Sequence, residues 1–266
     1  MPRAFEKSRR MMLGKAAALC ACILCWRTGR ASEFSRTSSN NPQLPFMSKN
    51  RDPGSTLSAT QRSIVPIAAF AASGNISKLN GALIEGLDEG LSINEIKEIL
   101  IQLYAYAGFP RSLNALGAFM TVLEARNANG MKDKSGPTPQ KRIPQGEALL
   151  EEGTRNQTSL VGAPVQGPLF EFAPAIDTFL KTHLFGDIFC RDNLDWHARE
   201  VATISMLSAL DGVASQLQSH LKVAMNIGFS TSQLEDLIEV LSERVGIEAS
   251  SRALEALTRL LNSKSV

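Results

Sequence analysis

The feature that most constrains this chain is an internal repeat. Ile76–Phe119 (ISKLNGALIEGLDEGLSINEIKEILIQLYAYAGFPRSLNALGAF) lies on Ala214–Leu257 (ASQLQSHLKVAMNIGFSTSQLEDLIEVLSERVGIEASSRALEAL) at a constant offset of 138. Leu79 falls on Leu217, Gly90 on Gly228, Ser92 on Ser230, Ile96 on Leu234, Gly108 on Gly246 and Leu116 on Leu254. Upstream, Arg62–Phe70 (RSIVPIAAF) matches Arg199–Leu207 (REVATISML) after a gap of one residue. Glycines, caps and apolar positions that coincide over more than forty residues mark a duplication, and each copy is one supersecondary unit that buries its apolar face against its neighbour.

Each copy reads as helix, helix, glycine, capped helix, glycine corner, helix. In GLSINEIKEIL the left-handed C′ position suits Gly90, Ser92 caps the following helix, and Glu95 completes a capping box. Gly228, Ser230 and Gln233 repeat the device. At YAGFP, Gly108 ends one helix and Pro110 is expected at the first position of the next, where its missing N–H costs nothing. No run alternates with strand period, so the fold class is all-α.

Five segments follow: 1–31 an export signal, 32–57 a flexible tether rich in Ser, Asn and Pro, 58–128 the first repeat, 129–184 a connecting loop and helices, and 185–262 the second repeat. Between the repeats, GEALLEEGTRNQTSL and FAPAIDTFLKTHLF are expected to be helical. The signal rests on Arg9-Arg10 ahead of an apolar run, Ala16–Trp26, with small residues around Gly29-Arg30-Ala31. That run is shorter than the roughly 20 residues a membrane span requires. Its paired arginines resemble a twin-arginine signal, which predicts a periplasmic or otherwise exported protein with no stable membrane span in the mature chain.

Charge and cysteines exclude several functions. The first 31 residues hold seven Lys/Arg and one acid, Glu6, leaving 21 bases against 25 acids in the remainder. No basic surface suggests nucleic acid. Three of the four cysteines also lie in the leader, so only Cys190 remains, without a partner for a disulfide or a CxxC pair. Three scattered histidines (His183, His197, His220) give no metal-ligand spacing.

Three stretches together resemble the carboxymuconolactone decarboxylase family within the alkylhydroperoxidase D-like superfamily. They are FGDIFCRDNLDWHAREVATISMLSAL (Phe185–Leu210), LQSHLKVAMNIGFSTSQLEDLIEVL (Leu217–Leu241) and IKEILIQLYAYAGFPRSLNAL (Ile96–Leu116), and the likeness covers essentially all of residues 58–262 as a tandem form. The resemblance implies an all-helical fold whose two repeats pack as one pseudo-two-fold unit, a homo-oligomer, a small-molecule carboxylate substrate, and decarboxylation of a lactone without metal or organic cofactor. Redox relatives use a Glu, a CxxC and a His. Here the His position is His220, eight residues before Gly228, and the cysteine positions are Gln216 and Val213. In the first repeat the same three positions are Ala82, Lys78 and Asn75, so dithiol chemistry in its known form is excluded. Glu200 stands at the Glu position, and its first-repeat counterpart is Ser63.

The copies have diverged in complementary ways. Repeat two keeps Glu200 and His220 but has ERVGIEA at the corner, while repeat one keeps YAGFPR without the acid and imidazole. One composite site is therefore expected. His220 would transfer the proton and Glu200 would fix its tautomer. Arg111 or Arg199 would anchor a carboxylate, Tyr104 or Tyr106 would bond the lactone oxygen, and Phe109 would complete the wall. The competing expectation is a superfamily member that binds a small ligand, or serves as a scaffold, without catalysis.

Overall fold

The computed structural model describes residues 53–263, all within one compact unit. The expected export signal and most of the expected tether lie outside the described residues. Repeat one comprises α1 (Ala59–Ser73), α2 (Ile76–Asp88), α3 (Ile93–Gln102), a single turn α4 (Tyr104–Ala107) and α5 (Phe109–Ala128). Between the repeats lie α6 (Glu147–Val161), α7 (Pro168–Phe172), α8 (Pro174–Phe179) and a wide π-helical segment, Leu180–Ile188. Repeat two comprises α9 (Trp196–Ser208), α10 (Ala214–Asn226), α11 (Thr231–Val240), a π-helical turn Leu241–Val245 and α12 (Ile247–Asn262). There is no strand among the described residues, so the all-α class holds.

Both expected capping boxes form. Ser92 accepts from Glu95 N–H while Glu95 returns to Ser92 N–H, and Ser230 and Gln233 do the same. Ser58 and Gln61 build a third box at the start of α1. Each serine satisfies an otherwise orphaned helix donor, a contribution of about 1 kcal/mol. Gly108 has φ 81° and ψ 160°, a conformation that a side chain would strain, and its mate Gly246 turns at φ 148°. Helix α5 begins at Phe109, which moves Pro110 to the second position rather than the first; neither position needs its N–H.

The repeats meet through their matching first helices. α1 and α9 lie side by side, and Ile64, Val65, Ile67, Val201, Ile204 and Met206 form a core shared by both copies. Two ion pairs, one fully buried and one half-exposed, cross this junction at equivalent positions. Arg199 of α9 reaches Glu98 of α3, and Arg62 of α1 reaches Asp236 of α11. Arg62 and Arg199 are repeat mates, as are Glu98 and Asp236, so the pairs express the pseudo-two-fold relation directly.

Two local differences from expectation have physical causes. The tether ends earlier than 57: Leu57 is 4% exposed and its N–H donates to Asp236 Oδ2 at 2.9 Å, so the carboxylate that holds Arg62 also pins the chain ahead of α1. The helix expected over FAPAIDTFLKTHLF is instead broken at Ala173 and runs on as the π-helical segment to Ile188. That wide segment packs along α6, where Gly153 allows the two backbones to touch; a Cβ there would meet the carbonyl of Lys181. Leu160, Leu184, Phe185, Ile188, Phe189 and Val223 make a second apolar cluster, against which Tyr104 and Tyr106 pack. No described helix is long and apolar enough to cross a membrane.

Candidate active site

Glu200 sits in the first turns of α9, whose N-cap Asp195 accepts from Ala198 N–H at 2.7 Å. His220 lies midway along α10, which packs on α9. The packing brings Glu200 Oε2 to 2.8 Å from His220 Nδ1. The carboxylate is fully buried and the imidazole is 14% exposed at its side chain. A carboxylate can only accept, so in the neutral ring Nδ1 carries the hydrogen, which leaves Nε2 as the basic nitrogen. Glu200 Oε1 is buried with no hydrogen-bond partner.

Repeat one supplies the wall beside this pair. The Tyr106 ring meets His220 edge to face, centroids 5.6 Å apart. Its buried hydroxyl makes no hydrogen bond of full geometry; the Thr203 hydroxyl beside it donates to the Arg199 carbonyl (2.9 Å), accepts from Gln102 Nε2 (2.7 Å) and keeps one lone pair toward the phenol. Burial first, and then the Glu200 charge, push the Tyr106 phenol well above its ordinary value, so it remains a neutral donor. Tyr104 stacks on Phe109 at 4.4 Å and tilts against His183 at 5.3 Å, and its buried hydroxyl is without a hydrogen-bond partner. Phe109 itself is 61% exposed. Arg111, one turn into α5, is half-buried and makes no ion pair among the described residues.

Arg199 requires a correction. It was expected as an alternative anchor for a substrate carboxylate, but it is fully buried and its donors are spent inside the protein. Nε donates to the Leu194 carbonyl (3.2 Å), Nη1 to Gln102 Oε1 (3.1 Å), and Nη2 to Glu98 Oε2 (3.3 Å) and the Arg191 carbonyl (2.9 Å). It is a structural cation that fixes α9, and with it Glu200, against α3 of the other repeat. Glu98 and Gln102, which hold it, were not singled out from the sequence. The available signal was the repeat itself, which aligns Glu98 with Asp236 and Arg62 with Arg199.

The remaining polar residues stand apart from the pair. His183 bonds Asp187 at 2.7 Å on an exposed face, and exposed His197 leans on the Phe229 ring. The Cys190 thiol is buried, receives Asn156 Nδ2 at 3.2 Å, and is pushed up by burial. It borders a half-open cavity of about 230 Å³ lined also by Phe189, Arg191, Leu194 and Trp196, which touches neither Glu200 nor His220. No group of three His, Cys, Asp or Glu among the described residues is arranged to hold a metal ion.

Comparison with known proteins identifies the family. The family model for the carboxymuconolactone decarboxylase family matches residues 47–120 and 174–259, one segment on each repeat. The 4-carboxymuconolactone decarboxylase of Acinetobacter baylyi (strain ATCC 33305 / BD413 / ADP1) is 31% identical over 86 residues, covering 32% of this chain and 63% of that protein. The chain therefore spans less than two thirds of that relative's length. With both repeats matched over more than half of its residues, the chain belongs to the carboxymuconolactone decarboxylase family.

Proposed function

We propose that the protein is a cofactor-free lyase that removes CO2 from a small carboxylated lactone or keto acid by acid-base chemistry at Glu200 and His220. The observation that carries this reading is the buried 2.8 Å hydrogen bond that orients the imidazole toward the tyrosine wall. Loss of CO2 leaves its bonding electrons on carbon, delocalised into the neighbouring carbonyl as an enolate. The Tyr104 and Tyr106 hydroxyls, buried and without a full hydrogen bond, are suited to donate to that oxygen. His220 as imidazolium then returns a proton to carbon from Nε2 and is reprotonated by water, while Glu200 steadies the cationic ring. Arg111, on the YAGFPR corner, would hold a second carboxylate of the substrate. The arginine-paired leader supports an exported location for this reaction.

The family and the relative's printed name support lactone decarboxylation as the starting class. A second reading, a ligand carrier without turnover, is favoured by the cavity beside Cys190, which does not reach the Glu-His pair. One experiment separates them. Candidate lactone and keto acids are screened for CO2 release by wild type and His220→Ala, with binding measured in parallel by calorimetry. Turnover that falls about 100-fold or more in the variant supports the lyase. Equal turnover in both proteins removes His220 from the chemistry, and binding without turnover in wild type establishes the carrier.

A further inference from the structure

The half-open cavity beside Cys190 has an apolar interior and a charged rim. Phe189, Cys190 and Leu194 are buried in its wall, and Trp196 is fixed beside them because its Nε1 donates to the Phe189 carbonyl at 3.2 Å. Asn156, also buried, spends both amide hydrogens there, on the Phe185 carbonyl (2.8 Å) and the Cys190 sulfur (3.2 Å). Those two bonds fix which way the amide points. They leave Oδ1, which accepts from no group among the described residues, as a spare acceptor on a residue that lines the cavity. At the rim, Arg191 gives Nε and Nη2 to Glu98, both at 2.7 Å, and no described group takes Nη1. Arg199 leans on the same Glu98 at 3.3 Å, so two guanidiniums share one carboxylate and a positive charge is left over. The exposed Lys141 ammonium, bonded to Glu152, has further donors to offer. Asp192 and Asp195 stand at the same rim but already accept from backbone, Asp192 from the Gln140 and Lys141 N–H groups and Asp195 from that of Ala198.

We propose that this cavity is a second binding site, separate from the Glu200–His220 pair, for a single-ring carboxylate that carries a hydroxyl opposite its carboxyl group. Size sets the ring count. An apolar cavity of about 150 Å³ admits benzene, whereas drug-sized ligands occupy roughly 300–1,000 Å³. At about 230 Å³ there is room for one ring with a small substituent at each end. The ring enters between Phe189, Leu194 and Trp196, the carboxylate meets Arg191 and Lys141 at the rim, and the hydroxyl donates inward to Asn156 Oδ1. An amine is the poorer fit, because the surplus guanidinium charge repels it and the rim carboxylates are held by backbone donors. The cavity touches neither Glu200 nor His220, so the site does not depend on the acid-base reading above.

Trp196 reports on the cavity from its wall. The chain has one other tryptophan, Trp26, so Trp26→Phe in the full chain leaves a single emitter. Its emission is titrated with 4-hydroxybenzoate, and with benzoate, 4-hydroxybenzamide and 4-hydroxybenzylamine as comparators, while calorimetry gives the affinities and the stoichiometry. The acid binds saturably, one per chain, and shifts the Trp196 emission. Benzoate, which lacks the inner donor, binds roughly three- to tenfold more weakly, and the uncharged amide and the amine at least tenfold more weakly. Lys141→Met and Arg191→Gln, each checked by circular dichroism, weaken the acid about tenfold, and Lys141→Met decides if Arg191→Gln fails to fold. His220→Ala leaves the affinity unchanged. No saturable binding up to about 10 mM overturns the proposal. So does an amide or amine bound as tightly as the acid, or a folded rim variant that binds as wild type does. Loss of binding in His220→Ala overturns it as well, by moving the probe to the Glu-His pair, and leaves the lyase reading standing.

Discussion

Replacing Glu98 with alanine tests whether the buried charges hold the repeats together. Arg199 is fully buried, and Glu98, 3% exposed at its side chain, is the carboxylate paired with it. Removing that carboxylate leaves a guanidinium with no access to water, a loss of about 3–5 kcal/mol in comparable buried pairs. Its repeat mate provides an internal control. Asp236→Ala also breaks an ion pair and strands the Leu57 N–H, but Arg62 is 36% exposed at its side chain and has Glu243 at 3.7 Å as a second partner. Arg62 can turn to solvent, so this loss should stay near the cost of one stranded backbone donor, about 1–3 kcal/mol. For a folded unit of this size each kcal/mol lowers Tm by about 2–4 °C, which places Glu98→Ala roughly 6–20 °C below wild type. Urea unfolding followed by circular dichroism gives both values, at one fixed chain concentration because association would add to stability. Adding Arg199→Met to Glu98→Leu recovers only part of the loss, since the Leu194 and Arg191 carbonyls and the Gln102 amide lose their donor. If Glu98→Ala is no more damaging than Asp236→Ala, burial of Arg199 is not what makes the pair matter, and the reasoning is wrong.

Two further outcomes follow from the same geometry. Desolvation pushes the Glu98 carboxyl up, but the hydrogen bond and charge of Arg191, with Asn193 and Arg199, outweigh it and hold the group below the ordinary 4.5. A carboxyl lowered in the folded state contributes stability that is present above its unfolded value and is lost as pH falls through the folded one. The urea midpoint gap between wild type and Glu98→Gln should therefore narrow below pH 4.5, and a gap that stays constant into acid refutes the assignment. At the site, Tyr106→Phe removes a buried hydroxyl that makes no full hydrogen bond, so Tm should hold or rise slightly while turnover falls about tenfold. A fall in Tm with turnover intact would make the hydroxyl structural.

The sequence exposed what repeats and what caps, because both are local and occur twice. Ser92 with Glu95 and Ser230 with Gln233 are readable at three-residue spacing, and the complementary loss of Glu/His from one copy and YAGFPR from the other anticipated a pair from α9 and α10 facing a corner from repeat one. Arg199 was misread for the opposite reason. Its environment is decided by Glu98 and Gln102, about a hundred residues away, and an arginine beside a candidate acid looks locally like a ligand anchor. The π-helical segment after α8 was also hidden. Its apolar spacing is compatible with an ordinary helix, and only packing along Gly153 of α6 selects the wider turn.

The two ion pairs and the one site respond differently to the same pseudo-symmetry. Arg62–Asp236 and Arg199–Glu98 survive in both halves because each half needs its first helix tied to the third helix of the other. At the proposed site the symmetry is broken at the positions to which chemistry is assigned. Glu200 and His220 have Ser63 and Ala82 as mates, Tyr104 has Ser242, and Tyr106 has Arg244. On that second side Arg244 pairs with Glu85 of α2, so a charged contact stands where the first side has a tyrosine against an imidazole. A duplicated fold needs both junction ties to remain closed, whereas a composite site needs each half to supply only its own part. Under the proposed chemistry repeat one needs neither the acid nor the base, so long as it keeps the corner whose Tyr106 meets His220.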